Sequence, residues 1–305
     1  MRRVLTLGLW CCLGAVLWYA YFRQPINSAN MSTYNWLTAH WRNVSNYSHG
    51  PLIPLIAAGL VYLRWRELTR CRFGLAASGY LVLVAGMLVY YFGVKGGQER
   101  IAVLSFIVVL YGLALALAGR EPFRIFFFPI TFLLLMIPLN FIDEQVGFPL
   151  RIMVAKVATV LLNWLGIETT RVGSGIYSSV FRFDVADPCS GIRSLMALTT
   201  VTAAYAYVTQ HAQWKRWVLF LSSMPLAMLG NLARVTSIAV VAQVYGQEVA
   251  ATIYHDYSGY LLFGVALSAM VGVGCLLNVP YRQLWQRWLK PPPARSDAEL
   301  EKLHG

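Results

Sequence analysis

Three short polar stretches hold the residue types of a thiol acyl-transfer site. The first, Asp187-Pro188-Cys189-Ser190-Gly191, stands immediately ahead of an apolar run. Asp187 suits the N-cap of a helix and Pro188 its first position, so Cys189 falls in the first turn, with Ser190 beside it. Unpaired backbone N–H groups and the helix dipole there favour a thiolate, the reactive form of cysteine, and Arg193 one turn on adds positive potential. Taken alone, a cysteine at a helix start is more often structural than reactive.

The second stretch, Asn231-Leu232-Ala233-Arg234-Val235-Thr236, lies inside or near the outer end of a long apolar segment. A guanidinium at membrane depth is costly, so Arg234 should face a polar cavity or partner, or snorkel to the interface. Asn231, three residues earlier, shares its helix face. The third stretch is Tyr254-His255-Asp256-Tyr257-Ser258-Gly259-Tyr260, where the chain re-enters an apolar run. A histidine at such a boundary is usually interfacial. Near a thiol, its imidazole can take the thiol proton and later protonate a leaving amine, with Asp256 available to orient it. A nucleophilic cysteine, a histidine base and an arginine for the developing oxyanion together form a complete acyl-transfer set.

The elements that position them are membrane helices. Of 305 residues, 58% are hydrophobic and only 12% charged, with a mean hydropathy of +0.55. Such a composition suits the bilayer better than any soluble core. Apolar runs at 4–22, 51–63, 75–94, 101–118, 125–141, 191–208, 217–243 and 258–278 predict about eight transmembrane helices. The run at 150–165 carries Arg151, Lys156 and Asn163, which suit an interfacial or re-entrant helix. Residues 167–187 alternate β-branched, aromatic and polar types around Gly173 and Gly175, predicting a short β-hairpin-like segment over the outer face. The expected fold class is therefore an all-α polytopic membrane protein with those two additions.

Placing the N-terminus in the cytoplasm collects fifteen of the 25 Lys and Arg residues on the inner side. Those are Arg2, Arg3, the Arg64–Arg72 group, Arg120, Arg124, Lys215, Arg216 and the basic residues of the tail. Both termini are then inside, and the Cys189, Arg234 and His255 stretches share the outer side. The net charge of +12 is thus a topological signal, and no nucleic-acid recognition motif accompanies it. Arg2 and Arg3 followed by an apolar run of anchor length, without a small-x-small cleavage site, read as an uncleaved anchor. Residues 1–290 read as one membrane-embedded domain, and the proline-led 291–305 as a flexible cytoplasmic tail. Cys11, Cys12 and Cys275 lie in apolar runs as small hydrophobes. No spacing suggests a metal site or an organic cofactor.

The motifs VADPCSGIRSL, NLARV and YHDYSGY, in that order in a polytopic chain, resemble the exosortase/archaeosortase family. Upstream, Tyr47-Ser48-His49-Gly50-Pro51-Leu52 followed by Arg64-Trp65-Arg66, and Phe128-Pro129 with Met136-Ile137-Pro138-Leu139, resemble that family's N-terminal half. The likeness runs from about residue 20 to 280, and Pro188 stands where many members have a small residue such as Ala. The resemblance implies a membrane cysteine protease or transpeptidase of the bacterial inner membrane. Its partners would be secreted proteins bearing a C-terminal motif, a hydrophobic helix and a basic cluster, with an amine or other acceptor and the bilayer itself. It implies Cys189, Arg234 and His255 as the catalytic set. His49, at the start of the second span on the outer side, either contacts substrate or is structural. Two other readings remain open from the residues: a transporter or membrane component of exopolysaccharide assembly, and a non-catalytic scaffold.

Overall fold

The computed structural model describes residues 2–42, 47–139, 143–184 and 192–280. Its helices are α1 (Arg2–Phe22), α2 (Thr33–Arg42), α3 (Leu52–Leu63), α4 (Ala77–Lys95), α5 (Glu99–Ala118), α6 (Arg120–Phe132), α7 (Phe148–Trp164), α8 (Ile192–Thr209), α9 (Gln213–Tyr245) and α10 (His255–Asn278). Single turns and two wide i→i+5 turns, Asp143–Gly147 and Ala250–Tyr254, complete the helical parts. The protein is a largely helical, multi-pass membrane protein. Five segments are both long and apolar enough to cross a bilayer: Ala77–Lys95, Glu99–Ala118, Gln145–Trp164, Gln213–Tyr245 and Tyr257–Asn278. The tail at 291–305 lies outside the described residues, as do Cys189 and Ser190.

The helices α4 and α5 pack antiparallel along a seam of small residues. A Cβ at Gly86 would stand 2.8 Å from Val109, one at Gly93 2.7 Å from the Ala102 backbone, and one at Gly112 2.6 Å from the Leu83 backbone. Lipid tails are as apolar as leucine, so burial alone does not drive helices together in a membrane. Close backbone approach through glycine and alanine supplies dispersion contact instead. Glycine is required here for its missing side chain rather than for its backbone freedom.

Basic residues gather at one end of the bundle. The Gly74 N–H donates to the Ala118 carbonyl at 3.1 Å, and the Arg72 N–H to the Glu121 carboxylate at 2.9 Å. These bonds hold the 64–74 loop against the α5–α6 junction. The guanidinium groups of Arg64 and Arg216 lie over the same Tyr207 ring, at 5.0 and 5.2 Å. Trp10 of α1 packs on Tyr80 at 6.0 Å and Tyr21 on Tyr90 at 4.9 Å, so α1 runs parallel to α4 and starts from that basic end.

At the opposite end the expected 125–141 span is not one helix. Pro129 interrupts α6, Leu133–Met136 tightens into a 3₁₀ turn, and Ile137 is extended. Pro138 disfavours helical geometry in the residue before it, which explains the break. The freed backbone groups find side-chain partners: Trp41 Nε1 donates to the Met136 carbonyl at 3.1 Å, and the Leu139 N–H donates to the Tyr47 hydroxyl at 3.0 Å. The helix α2, which supplies Trp41, is absent from the sequence expectation because its polar composition conceals a short buried face of Thr33, Trp36 and Leu37.

Residues 170–184 form a three-stranded antiparallel sheet rather than a simple hairpin, with β1 (Thr170–Val172), β2 (Gly175–Tyr177) and β3 (Arg182–Asp184) in that order. The third strand follows a turn closed by the Ser178 N–H on the Phe181 carbonyl at 2.9 Å. Phe181 and Ile176 are buried with Val154, Leu162, Val235 and Ala242, tying the sheet and α7 to the C-terminal part of α9. Substituting Gly112→Leu is expected to force the α4–α5 seam apart, costing about 1–3 kcal/mol or more in thermal unfolding of detergent-solubilised protein. Gly59→Leu in α3, where a Cβ meets nothing within 4 Å, should change stability by no more than about 0.5 kcal/mol.

Candidate functional site

Helix geometry sets the level of each candidate along the bundle. Arg216 is at the basic end, and Arg234, eighteen residues on in the same helix, lies about 27 Å away. In α8 the fifteen residues from Tyr207 back to Ile192 cover about 23 Å. In α10, Gly274 packs on Tyr205 and its carbonyl accepts from Gln210 Nε2 at 3.3 Å, so this part of the helix belongs to the basic end. The start of α10, with His255, therefore lies at the end opposite, as do Ile192 and Arg234.

The three helices enclose a cavity of about 30 Å³, room for about one water molecule. Ser194 of α8, Asn231 and Arg234 of α9 and Gly259 of α10 give its polar rim, over an apolar floor that includes Leu198 and Ala266. Asn231 is buried at 6% exposure and Arg234 is half-buried. The guanidinium is seated against α10: a Cβ at Gly259 would stand 3.3 Å from both Arg234 Cζ and Nη2. His255 is four residues before Gly259, so the two share a helix face. The structure thus brings the Arg234 guanidinium to the face of α10 that carries His255. Ser258 is buried beside this contact.

Other candidates have different places. Arg193 is exposed in the first turn of α8, while its neighbour Ser194 turns to the cavity. Cys189, three residues before Ile192, and Ser190 lie outside the described residues; His255 and Asp256 are described as backbone within α10. His49 lies in the turn before α3, its ring stacked on Tyr47 with centroids 6.0 Å apart. Its Nδ1 is buried without a hydrogen-bond partner among the described residues, and burial lowers its pKa from the ordinary value. Gly50 beside it has no room for a side chain because the Trp41 indole fills the space. Among the described residues no group of three or more His, Cys, Asp or Glu could hold a metal ion. The described cysteines, 11, 12, 71 and 275, are free, and Cys11, Cys12 and Cys275 are exposed on the helix surfaces.

Ser194 and Gly259 are the site residues that reasoning from sequence passed over. The available signal was spacing: Gly259 is one turn after His255, and only a residue without a side chain lets a guanidinium lie flat on a helix there.

The family model of transmembrane exosortases, Exosortase_EpsH, matches residues 41–272, well over half of the chain. No curated protein and no solved structure matches it.

Two measurements test this geometry. Gly259→Val should displace the Arg234 guanidinium and reduce function at least about tenfold at unchanged protein level, as expected when a positioned group moves by an ångström. Gly264→Val in the same helix, where a Cβ meets nothing within 4 Å, should be near neutral. For His49, burial favours the neutral ring in the folded state, so only the unfolded chain takes up the proton as pH falls below about 6.5. Stability is therefore full above that pH and declines below it, until the folded-state pKa is reached, by at most about 1.4 kcal/mol per pH unit. His49→Phe should flatten that part of the denaturation profile between pH 7 and 5.

Proposed function

Because the chain belongs to the transmembrane exosortase family, we propose that it is a cysteine transpeptidase that cleaves C-terminal sorting signals of secreted proteins and passes them to an acceptor. The observation that carries this reading is the Arg234 guanidinium seated on Gly259, one helical turn from His255, at the level where α8 begins just after Cys189. The substrate's hydrophobic helix enters from lipid, and its recognition motif rests beneath the sheet. The Cys189 thiol gives its proton to His255 and attacks the scissile carbonyl. Arg234, with backbone N–H groups of the first α8 turn, stabilises the tetrahedral oxyanion. His255 then returns the proton to the leaving amine as the C–N bond breaks, leaving a thioester on Cys189. An acceptor nucleophile resolves the thioester, with His255 taking its proton.

In this reading the basic end is cytoplasmic and the site is extracytoplasmic. The chain makes eight crossings: α1, α3, α4, α5, α6 with its 3₁₀ extension, α8, α9 and α10. The helix α7 does not cross. Its Leu150 and Val154 line a hollow with Ile192 and Asn231, and its Leu162 is buried with Ala239 and Ala242. It therefore begins at the level of the site and continues outward along the far part of α9. Side of the membrane and nucleophile identity are tested by one reagent. In a variant retaining Cys189 alone, a membrane-impermeant maleimide should label from outside with an apparent pKa below about 8.5. Labelling from the cytoplasmic side alone would reverse the topology. In cells co-expressing a sorting-signal substrate, Cys189→Ala should abolish processing and Arg234→Ala should reduce it by about 10²–10³. A transporter would instead tolerate Cys189→Ala.

A further inference from the structure

A hollow lies away from the proposed catalytic set, between the end of α7 and the sheet. It has a volume of about 720 Å³ and is lined by Asn163, Glu168, Thr170, Tyr177, Ser178 and Ser179, with Thr169 and Gly166 between them. Every lining residue but Gly166 carries a hydroxyl, amide or carboxylate, set in a surface that is more than half carbon. Among the described residues, no Lys or Arg and no aliphatic side chain lines it. Tyr177 supplies the one ring, and the Arg182 guanidinium lies over that ring at 5.0 Å, leaving its edge and hydroxyl for a ligand. Glu168 is exposed and forms no ion pair with a described residue, in a chain with a net charge of +12.

The walls are held in place before any ligand arrives. Asn163 Oδ1 accepts from the Thr169 N–H at 2.8 Å and the Thr169 hydroxyl at 3.1 Å, while Asn163 Nδ2 donates to the Thr169 carbonyl at 3.2 Å. Thr170 and Tyr177 are a cross-strand pair of β1 and β2. The Ser178–Phe181 turn is anchored by Phe181, buried at 2% exposure and stacked on Phe183. Fixed polar groups in a concavity of this size are the conditions for small-ligand recognition at low ordering cost.

The chemistry of the lining selects the ligand. An anion would meet the Glu168 carboxylate in the lining itself, the Arg182 guanidinium being engaged over the Tyr177 ring. An acyl chain or apolar peptide would leave the hydroxyl groups without partners, which is costly. A divalent metal would need more oxygen ligands than one carboxylate provides. A polyhydroxylated molecule carrying an ammonium group satisfies the hydroxyl and amide wall and pairs with Glu168. We infer that this hollow is a binding subsite for an amine-bearing saccharide, with Glu168 receiving the ammonium and Thr170, Tyr177, Ser178 and Ser179 receiving the hydroxyl groups.

Its position gives the subsite a use. The wall strand β2 pairs with β3, with Gly175 opposite Asp184. Asp184 is five residues from Cys189, a link that spans at most about 17 Å when extended. The hollow lies at the outer end of α7, about 20 Å of helix beyond the level of Leu150, so only a saccharide of several units could reach from it to the proposed thioester. That role as an acceptor subsite rests on the function proposed above; the binding itself does not.

The test separates the two. Protein carrying Cys189→Ala, in detergent or nanodiscs, is titrated with a linear glucosamine tetramer, a linear glucose tetramer and a galacturonate tetramer, followed by saturation-transfer NMR and calorimetry. The glucosamine tetramer should bind most tightly, the glucose tetramer more weakly and the galacturonate tetramer least. Glu168→Gln should weaken the glucosamine tetramer about tenfold and leave the glucose tetramer within about twofold, removing the preference between them. Ser178→Ala with Thr170→Ala should weaken both. Equal binding of the three tetramers, no binding of any, or full glucosamine affinity in Glu168→Gln would overturn the assignment. Loss of processing in Cys189→Ala with saccharide binding retained is the result expected if both readings hold. Saccharide binding alongside normal processing by Cys189→Ala would sink the catalytic reading and leave the subsite standing.

Discussion

A guanidinium near the end of a membrane helix must be given a polar place or a flat surface to lie on, since its desolvation in hydrocarbon is expensive. In this protein the place for Arg234 exists because residue 259 of the neighbouring helix has no side chain. That one accommodation fixes the relative height and rotation of α9 and α10. The cavity shared with Ser194 and Asn231 then draws α8 into the same arrangement. The side of α10 that Arg234 meets and the level at which α8 begins both follow from how these three helices are set against one another.

The N-terminal half solves a different problem with similar economy. The small-residue seam of α4 and α5 makes a hairpin that needs no polar contact along its length. Against it, the broken end of α6 exposes backbone groups that a bilayer cannot satisfy. The Trp41 indole and the Tyr47 hydroxyl reach across to bond Met136 and Leu139. The two family-like motifs around His49 and Met136 are therefore one structural unit, each supplying what the other lacks. His49 sits in this unit with a buried nitrogen, which explains a histidine there by packing as readily as by chemistry.

The sequence was most legible where physics acts on long stretches. Apolar runs identified the helices later seen as α4, α5, α9 and α10, and clustered basic residues anticipated the meeting of Arg64, Arg120 and Arg216 at one end. It was less legible where short-range geometry decides. The helix α2 has too few apolar residues to stand out, and its buried face is defined by tertiary contact with the rest of the bundle. The break at Ile137 was encoded by Pro138 but hidden within a run of high hydropathy. The third strand after Phe181 depends on a turn whose register is set by aromatic burial. At the site, the residues with charged or nucleophilic groups drew attention, whereas Gly259 and Ser194 act by shape and position, which a linear reading weighs least.

The long helix α9 has 33 residues, about 50 Å of continuous helix against a hydrocarbon layer of about 30 Å. Pro225 interrupts its hydrogen bonding below both Asn231 and the segment that carries α7 and the sheet. Arg234 and the positions from Val235 to Ala242 on which α7 and the sheet pack therefore share one stretch of helix beyond Pro225. A single element thus carries both the guanidinium and the scaffold of the sheet, and a substitution that alters the helix at Pro225 would be felt by the two together.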